Sequence, residues 1–424
     1  MKRCLLPPFL FLLSLFSAMG VDFDHDSYGS VADYLNDVFG ADDNAGLTAF
    51  PVLNIPIGGR AEGMASAFAA VADDASFIEF NPAGSSMLSR SELAFYHNNW
   101  IADTKIEGLV YTNRRKNLGF AAAGKWLYTP FTEYNLYGER VSKGYYSEAE
   151  AVLNVSYNFF SGYYFSGLSL GANIKGAFRF VPDYADKQSN LVMSGSGWDQ
   201  SAGMGMADLG ALTRFNFLKF YHSRERNSSA ALVIRNLGPP SMGEALPSSI
   251  VAALSYKPLR PLLFSFDLSL PFNMADLELS ERPWWAAALS VGVTSFLSMR
   301  GGLMAKSGNV RMVVGSAVIL KKIALDVNYT MDLLTQIQPL NRVSLGVRLD
   351  LGDQGRSLLA AEVDRLYLEG LDAYAQGDYP LAGRNWTEAL KLNPQFVPAR
   401  ESLAILEEVM AVQRRLDDLQ RLDF

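Results

Sequence analysis

The chain has 424 residues, a net charge of −7, one Cys and three His, and 49% of it is apolar. That apolar share excludes a disordered chain, and the acidic balance argues against a nucleic-acid binder, which needs a basic face to meet phosphates. So few His and Cys leave little material for a zinc or iron–sulfur site, and neither a metal nor another cofactor is expected.

Residues 1–20 read as a secretory signal peptide. Lys2 and Arg3 form a basic start, Leu5 to Phe16 an apolar core, and Ala18-Met19-Gly20 a small-residue cleavage site. The apolar run is shorter than the about 20 residues a membrane helix needs. Cys4 falls inside it, so the exported chain would carry no thiol.

Residues 21–90 lack strand periodicity. Ser30 is placed to cap a short helix through Phe39, with Gly40 as its stop. Then come Gly58-Gly59-Arg60-Ala61-Glu62-Gly63, a small-residue run from Met64 to Ala72, and Asp73-Asp74, which reads as a helix end. Phe80-Asn81-Pro82-Ala83-Gly84 follows, and its Asn-Pro and Gly taken alone make a plain turn. A segment of this length ahead of a barrel is enough to enter it and act as a hatch.

Residues 91–351 alternate with period 2. Leu168, Leu170, Ala172, Ile174, Phe178 and Phe180 fall on one strand face, and Ser169, Asn173, Lys175 and Arg179 on the other. Leu262, Phe264, Phe266, Leu268 and Leu270 likewise oppose Ser265, Asp267 and Ser269. Fourteen such segments are predicted: 91–98, 105–113, 117–127, 149–160, 164–180, 204–215, 229–237, 249–256, 262–270, 285–293, 297–305, 310–320, 323–331 and 342–351. Many are about ten residues, the length a tilted strand needs to cross a bilayer. The most apolar stretch, Trp284 to Met299, is too short for a membrane helix. Even-numbered connections are mostly short and several odd-numbered ones long, as in outer-membrane barrels with short periplasmic turns. The expected fold is an all-β transmembrane barrel of about fourteen antiparallel strands. An even strand number would return the chain to its starting side, which places both termini in the periplasm.

The run from Gly58 through Gly84, the strands that follow it and Arg235-Asn236-Leu237-Gly238 resemble the FadL-type outer-membrane transporters, and among them their spirochaete relatives most. Residues 58–351 carry the resemblance, and Asn81, Pro82, Ala83 and Gly84 are its most specific part. It implies fourteen strands, an N-terminal hatch, and uptake of long-chain fatty acids or other hydrophobic molecules by hatch-gated diffusion. Outer-membrane lipid would surround the barrel.

From about 358 the period becomes helical. Gly370, Gly377, Tyr379, Ala382, Trp386, Ala389, Leu390 and Pro394 have spacings that resemble one tetratricopeptide repeat, and Pro398 to Leu419 would add a helix. One repeat is fewer than the about three needed for independent stability. Residues 358–424 are therefore expected to dock on the barrel mouth, dimerise or bind a periplasmic protein.

Five cations should point into the lumen: Lys175, Arg179, Arg214, Arg235 and Arg348. Such a cation can pair a fatty-acid carboxylate, or it can pair with lumen acids such as Asp208, Asp267 and Asp326. Tyr128, Phe131, Tyr134, Tyr137, Tyr145 and Tyr146 are candidates for an interfacial girdle or an outer rim. His25 lies in a solvated acidic stretch, and His97 and His222 have no ligand pattern beside them. No nucleophile elbow, phosphate-cradling loop or metalloprotease motif occurs, so no enzyme is expected. The competing reading is a membrane-anchored scaffold whose helical tail recruits a partner.

Overall fold

The structure is a computed structural model that describes residues 42, 44–101, 103–134, 137–181, 185–186, 191–192, 201–306, 309–333 and 341–422. The signal segment, the Ser30–Phe39 helix and His25 lie outside the described residues.

The strands in chain order are β1 Ser91–Asn99, β2 Lys105–Arg115, β3 Leu118–Tyr134, β4 Arg140–Phe159, β5 Leu168–Phe180, β6 Ala185–Asp186, β7 Leu191–Val192 and β8 Ala202–Phe215. They continue with β9 Ser228–Leu237, β10 Ser249–Leu259, β11 Leu262–Pro271, β12 Trp284–Gly292, β13 Leu297–Lys306, β14 Asn309–Leu320, β15 Ile323–Asp332 and β16 Arg342–Gly352. The short β6 and β7 pair with each other, and the other fourteen close into one antiparallel barrel. The seam is β1 against β16, from Ser91 opposite Gly352 to Asn99 opposite Val343.

The side-chain pattern of this wall explains its closure. In β11, Phe264, Phe266, Leu268 and Leu270 are 36–45% exposed, while Ser265, Asp267 and Ser269 between them are at most 5% exposed. Leu153, Ile174, Leu232, Leu254, Leu303, Leu325 and Leu345 extend the exposed apolar band around the circumference. A water-soluble sandwich would bury those residues and expose the serines. Here the polarity is inverted, and a sheet facing hydrocarbon must close because an open edge leaves backbone N–H and C=O groups unpaired.

All fourteen expected strands are present. The main difference is that β3 and β4 run well past their predicted ends, and their ladder continues from Tyr128 opposite Ser147 to Thr132 opposite Lys143. The expected loop 128–148 is mostly hairpin. Its alternation was masked by a run in which aromatic residues occupy both faces.

Ser91 and Gly352 lie at one end of the barrel, the near end. Four of the six near-end connections are tight: 116–117, 260–261, 293–296 and 321–322. The two long ones, 160–167 and 216–227, are those on which the C-terminal helices rest. There Arg224 pairs with Asp364 at 2.7 Å, and Tyr163 packs on Phe396 with ring centroids 5.7 Å apart.

The segment before β1 threads the lumen. At the far end the Arg282 N–H donates to Asp42 (2.8 Å), and Asn44 donates to the carbonyl of Glu278 (3.1 Å). The chain then descends through a 3-10 turn (Pro51–Leu53), the short helix α1 (Gly59–Gly63) and two further 3-10 turns, Ala75–Glu79 and Pro82–Met87, to reach the near end at Ser91. Phe68, Phe77, Ile78, Met64 and Ala83 are completely buried inside the wall. An even strand count thus brings the two ends of the wall together, while the leading segment reaches the opposite end.

Beyond β16 come α2 (Arg356–Ala375), α3 (Tyr379–Leu392) and α4 (Val397–Leu422). Trp386 is 2% exposed and donates to the Tyr367 carbonyl at 3.2 Å. Gly370 faces it so closely that a Cβ there would stand 2.3 Å from the indole nitrogen. Gly377, at φ +82°, follows the end of α2, Ala382 and Ala389 are fully buried, and Pro394 follows the end of α3. Asp378 caps α3 by accepting from the Leu381 N–H.

Candidate functional site: a stoppered lumen

The hatch is fixed mainly by polar wall side chains that bond its backbone. Asp267 accepts from the N–H groups of Phe68 (3.1 Å) and Ala69 (2.9 Å). Ser229 donates to the Ala70 carbonyl at 2.6 Å, Asn154 to that of Pro82 at 2.9 Å, Asn173 to that of Ile78 at 2.9 Å and Asn328 to that of Gly59 at 2.8 Å. These donors come from strands all round the barrel. An irregular chain buried in a lumen would otherwise leave its peptide groups unpaired, at about 1–3 kcal/mol each.

The Asn81–Gly84 motif sits where the fit is tightest. The Asn81 carboxamide accepts from Ala83 N–H (3.0 Å), capping the turn that Pro82 opens, and donates to the Ala69 carbonyl (2.8 Å). Three wall glycines make room for it: a Cβ would lie 2.2 Å from Ser85 at Gly119, 2.3 Å from the Pro82 carbonyl at Gly171, and 2.3 Å from Asn81 at Gly210. Gly84 turns its open side to the Phe77 ring, 2.7 Å from where its own Cβ would be. The motif is therefore packed into the wall, unlike a surface turn.

Above the hatch, at the far end, lies a cavity of about 510 Å³. Ile55, Phe80, Trp100, Trp284 and Met304 give it apolar walls, and Ala65 and Ser66 form part of its floor. Lys175, Arg235, Lys306, Arg311 and Arg342 bring cations to it, and Glu62, Glu79, Glu150 and Glu281 bring acids.

The five expected cations do not converge. Lys175 lines the cavity but is consumed by Asp208 (2.9 Å) and Glu150 (3.5 Å). Arg179 is farther out, 3.4 Å from Glu244 and over the Phe50 ring. Arg214 and Arg348 lie on the other side of the hatch. Arg214 donates to the carbonyls of Met87 and Val71, and Arg348 pairs with Asp74 (3.0 Å) and Asp326 (2.9 Å). Arg235 alone of the five lines the cavity with no ion pair among the described residues. Its guanidinium lies over the Phe80 ring at 5.9 Å, and its Nε is buried without a hydrogen-bond partner.

Sequence reasoning missed Arg342, Arg311 and the two tryptophans. Arg342 stacks 3.7 Å above the Trp100 ring and is 4.0 Å from Glu62, and Arg311 is 3.9 Å from Asp332. Burial pushes the Glu62 carboxyl above the ordinary carboxylate range. The parity signal was present, since Arg342 shares a strand face with Ser344 and Arg348. Of the expected aromatic rim, Tyr128 meets Tyr145 edge to face and also contacts Trp126, a residue not expected there, and Tyr134 and Tyr137 are exposed. Tyr146 instead turns to Glu148, its hydroxyl donating to the carboxylate.

A closed wall with a greasy exterior, filled by its own leading segment, defines a plugged transmembrane β-barrel. The chain belongs to the family described as Uncharacterised protein family (UPF0164), which matches residues 28–354, the hatch and wall up to the start of α2. Two UPF0164 proteins of Treponema pallidum (strain Nichols) are similar to it. One is 28% identical over 380 residues, 85% of this chain and 83% of the relative. The other is 26% identical over 395 residues, 86% and 77% respectively. Among solved structures, the CymD monoaromatic hydrocarbon channel aligns at 10% identity and a TM-score of 0.49, over 72% of this chain and 99% of that one. The Pseudomonas putida toluene transporter TodX aligns at 10% identity and 0.41, over 66% and 94%.

Proposed function

We propose that this protein resides in an outer membrane and takes up hydrophobic molecules, long-chain fatty acids among them, by diffusion through a hatch-gated barrel. One observation carries the reading. The far-end cavity pairs apolar walls with Arg235, a lumen cation that forms no ion pair among the described residues and whose Nε has no hydrogen-bond partner. An amphiphile would lay its tail on Phe80, Trp284 and Met304 and its carboxylate on the guanidinium. The exposed apolar band supports the membrane setting, and the tight near-end turns support a periplasmic near end. Passage then requires the hatch to shift, because its described core is sealed against the wall.

Liposomes bearing the purified protein should take up labelled oleate faster than protein-free liposomes, and Arg235→Gln should slow them. Equal rates with and without protein would remove the transport reading.

The scaffold reading has one observation of its own. The C-terminal helices have an independent core and leave Ile405, Val412 and Leu416 more than half exposed. Deleting residues 358–424 separates the two: uptake would persist if the tail serves only a periplasmic partner.

A further inference from the structure

The near end carries a second charged feature, separate from the cavity. Where the hatch leaves the lumen, three guanidiniums gather on three consecutive carbonyls. Arg214 of β8 donates to Met87 (3.4 Å), and Arg114 of β2 donates to Leu88 (2.8 Å). Arg356, the first residue of α2, donates to Leu88 (3.3 Å) and Ser89 (2.7 Å). Two of them share one acceptor, so their charges stand side by side, and both Arg214 and Arg356 act electrostatically on Arg114.

This cluster differs from the paired cations of the lumen. Lys125, Lys175, Arg300 and Arg348 each have a carboxylate within 3.0 Å. Among the described residues, none of the three near-end arginines forms an ion pair. The acids around them are committed elsewhere. Asp73 pairs with Arg60 and Asp350 with Arg90, Asp364 pairs with Arg224, and Asp353 accepts from the N–H groups of Gly355 and Ser357. Asp73 and Glu225 act on Arg214, and the Asp353 carboxylate on Arg356, only through space. Neutral carbonyls orient these guanidiniums but do not neutralise them, so three like charges remain in close company.

We propose that Arg114, Arg214 and Arg356 form a binding site for a phosphate group at the near-end mouth. A guanidinium presents a planar fork of N–H donors that matches phosphate oxygens, and three forks suit a tetrahedral oxyanion. The first turn of α2 adds the positive end of a 20-residue helix. The carbonyl bonds hold the side chains in place before the ligand arrives, which lowers the ordering cost of binding. The site lies at the near-end rim, where β16 ends and exposed Leu351 belongs to the apolar band. A lipid headgroup and free phosphate therefore both have access to it.

The test uses the full chain in nonionic detergent, with dodecyl phosphate, inorganic phosphate and dodecanol as probes and binding read by calorimetry. Dodecyl phosphate should bind with salt-sensitive affinity, and dodecanol should not. Arg356→Gln lies outside the barrel wall and leaves its closure intact, and it should weaken binding about tenfold. Arg114→Gln should act similarly, with heat-modifiable gel mobility confirming a folded barrel. Competition by inorganic phosphate would assign the site to free phosphate, and binding of the alkyl phosphate alone would assign it to a lipid headgroup. Unchanged affinity in Arg356→Gln, or loss of binding in Arg235→Gln instead, would overturn the assignment. Neither result bears on oleate uptake.

Discussion

The hatch and the C-terminal helices are both additions to one barrel, yet they are held by opposite means. The hatch has fully buried apolar side chains, but its backbone is satisfied by Asp267, Ser229, Asn154, Asn173 and Asn328 from the surrounding wall. The helices have their own core of Val363, Ala373, Ala382, Trp386, Ala389, Phe396, Ala399 and Leu406. They touch the barrel through Tyr163, Tyr164, Arg224 and Arg356. The difference is one of dependence. The hatch has only short turns of its own and depends on the wall to hold them, whereas the helices form a unit that only rests on the rim.

The sharpest way to break this contrast is Gly171→Val. The new side chain would begin 2.3 Å from the Pro82 carbonyl, so hatch and wall could not both keep their places. Loss of the folded barrel, or a hatch expelled and open to protease with raised ion conductance, is the expected outcome. A variant with wild-type gel mobility, protease resistance and conductance would contradict the fit. Next in size is Trp386→Ala, which should cost the helical unit about 3–5 kcal/mol. Limited proteolysis should then remove the region after residue 352 while the barrel stays heat-modifiable. Coupled loss of both would mean that the tail is no separate unit. The smallest effect belongs to Arg224→Ala. Its pair with Asp364 is exposed at 68% and 38%, so about 0–1 kcal/mol is at stake. Protease release of the tail should be nearly unchanged, since Tyr163 against Phe396 remains.

The same contrast explains what the sequence disclosed. The wall was legible because alternation is local: Ser265, Asp267 and Ser269 announce an inward face whatever their partners are. The helical unit was legible for a similar reason, since Gly370 and Trp386 meet within one hairpin. The path of the hatch was not legible. Phe68 and Ala69 are placed by Asp267, a residue of β11, and nothing near position 68 encodes that. The different settings of the five lumen cations were not legible for a related reason. Lys175 and Arg235 have the same inward parity, but Asn173 and Lys175 flank a position from which Asp208 reaches both. Asp208 acts on Arg235 too, across the bulge between Ala207 and Leu209, but forms no ion pair with it, and only cross-strand register distinguishes the two.

The seam strand β1 begins at Ser91, and the residues just before it already occupy the space the sheet encircles. The wall therefore curls around its own leading sequence, as a scroll is rolled about its spindle, and the last strand made, β16, shuts the roll against the first. Contacts of such long sequence separation form slowly. Until that final edge arrives, the spindle peptides have only part of their bonding partners, so the half-rolled sheet is the stage most exposed to misassembly.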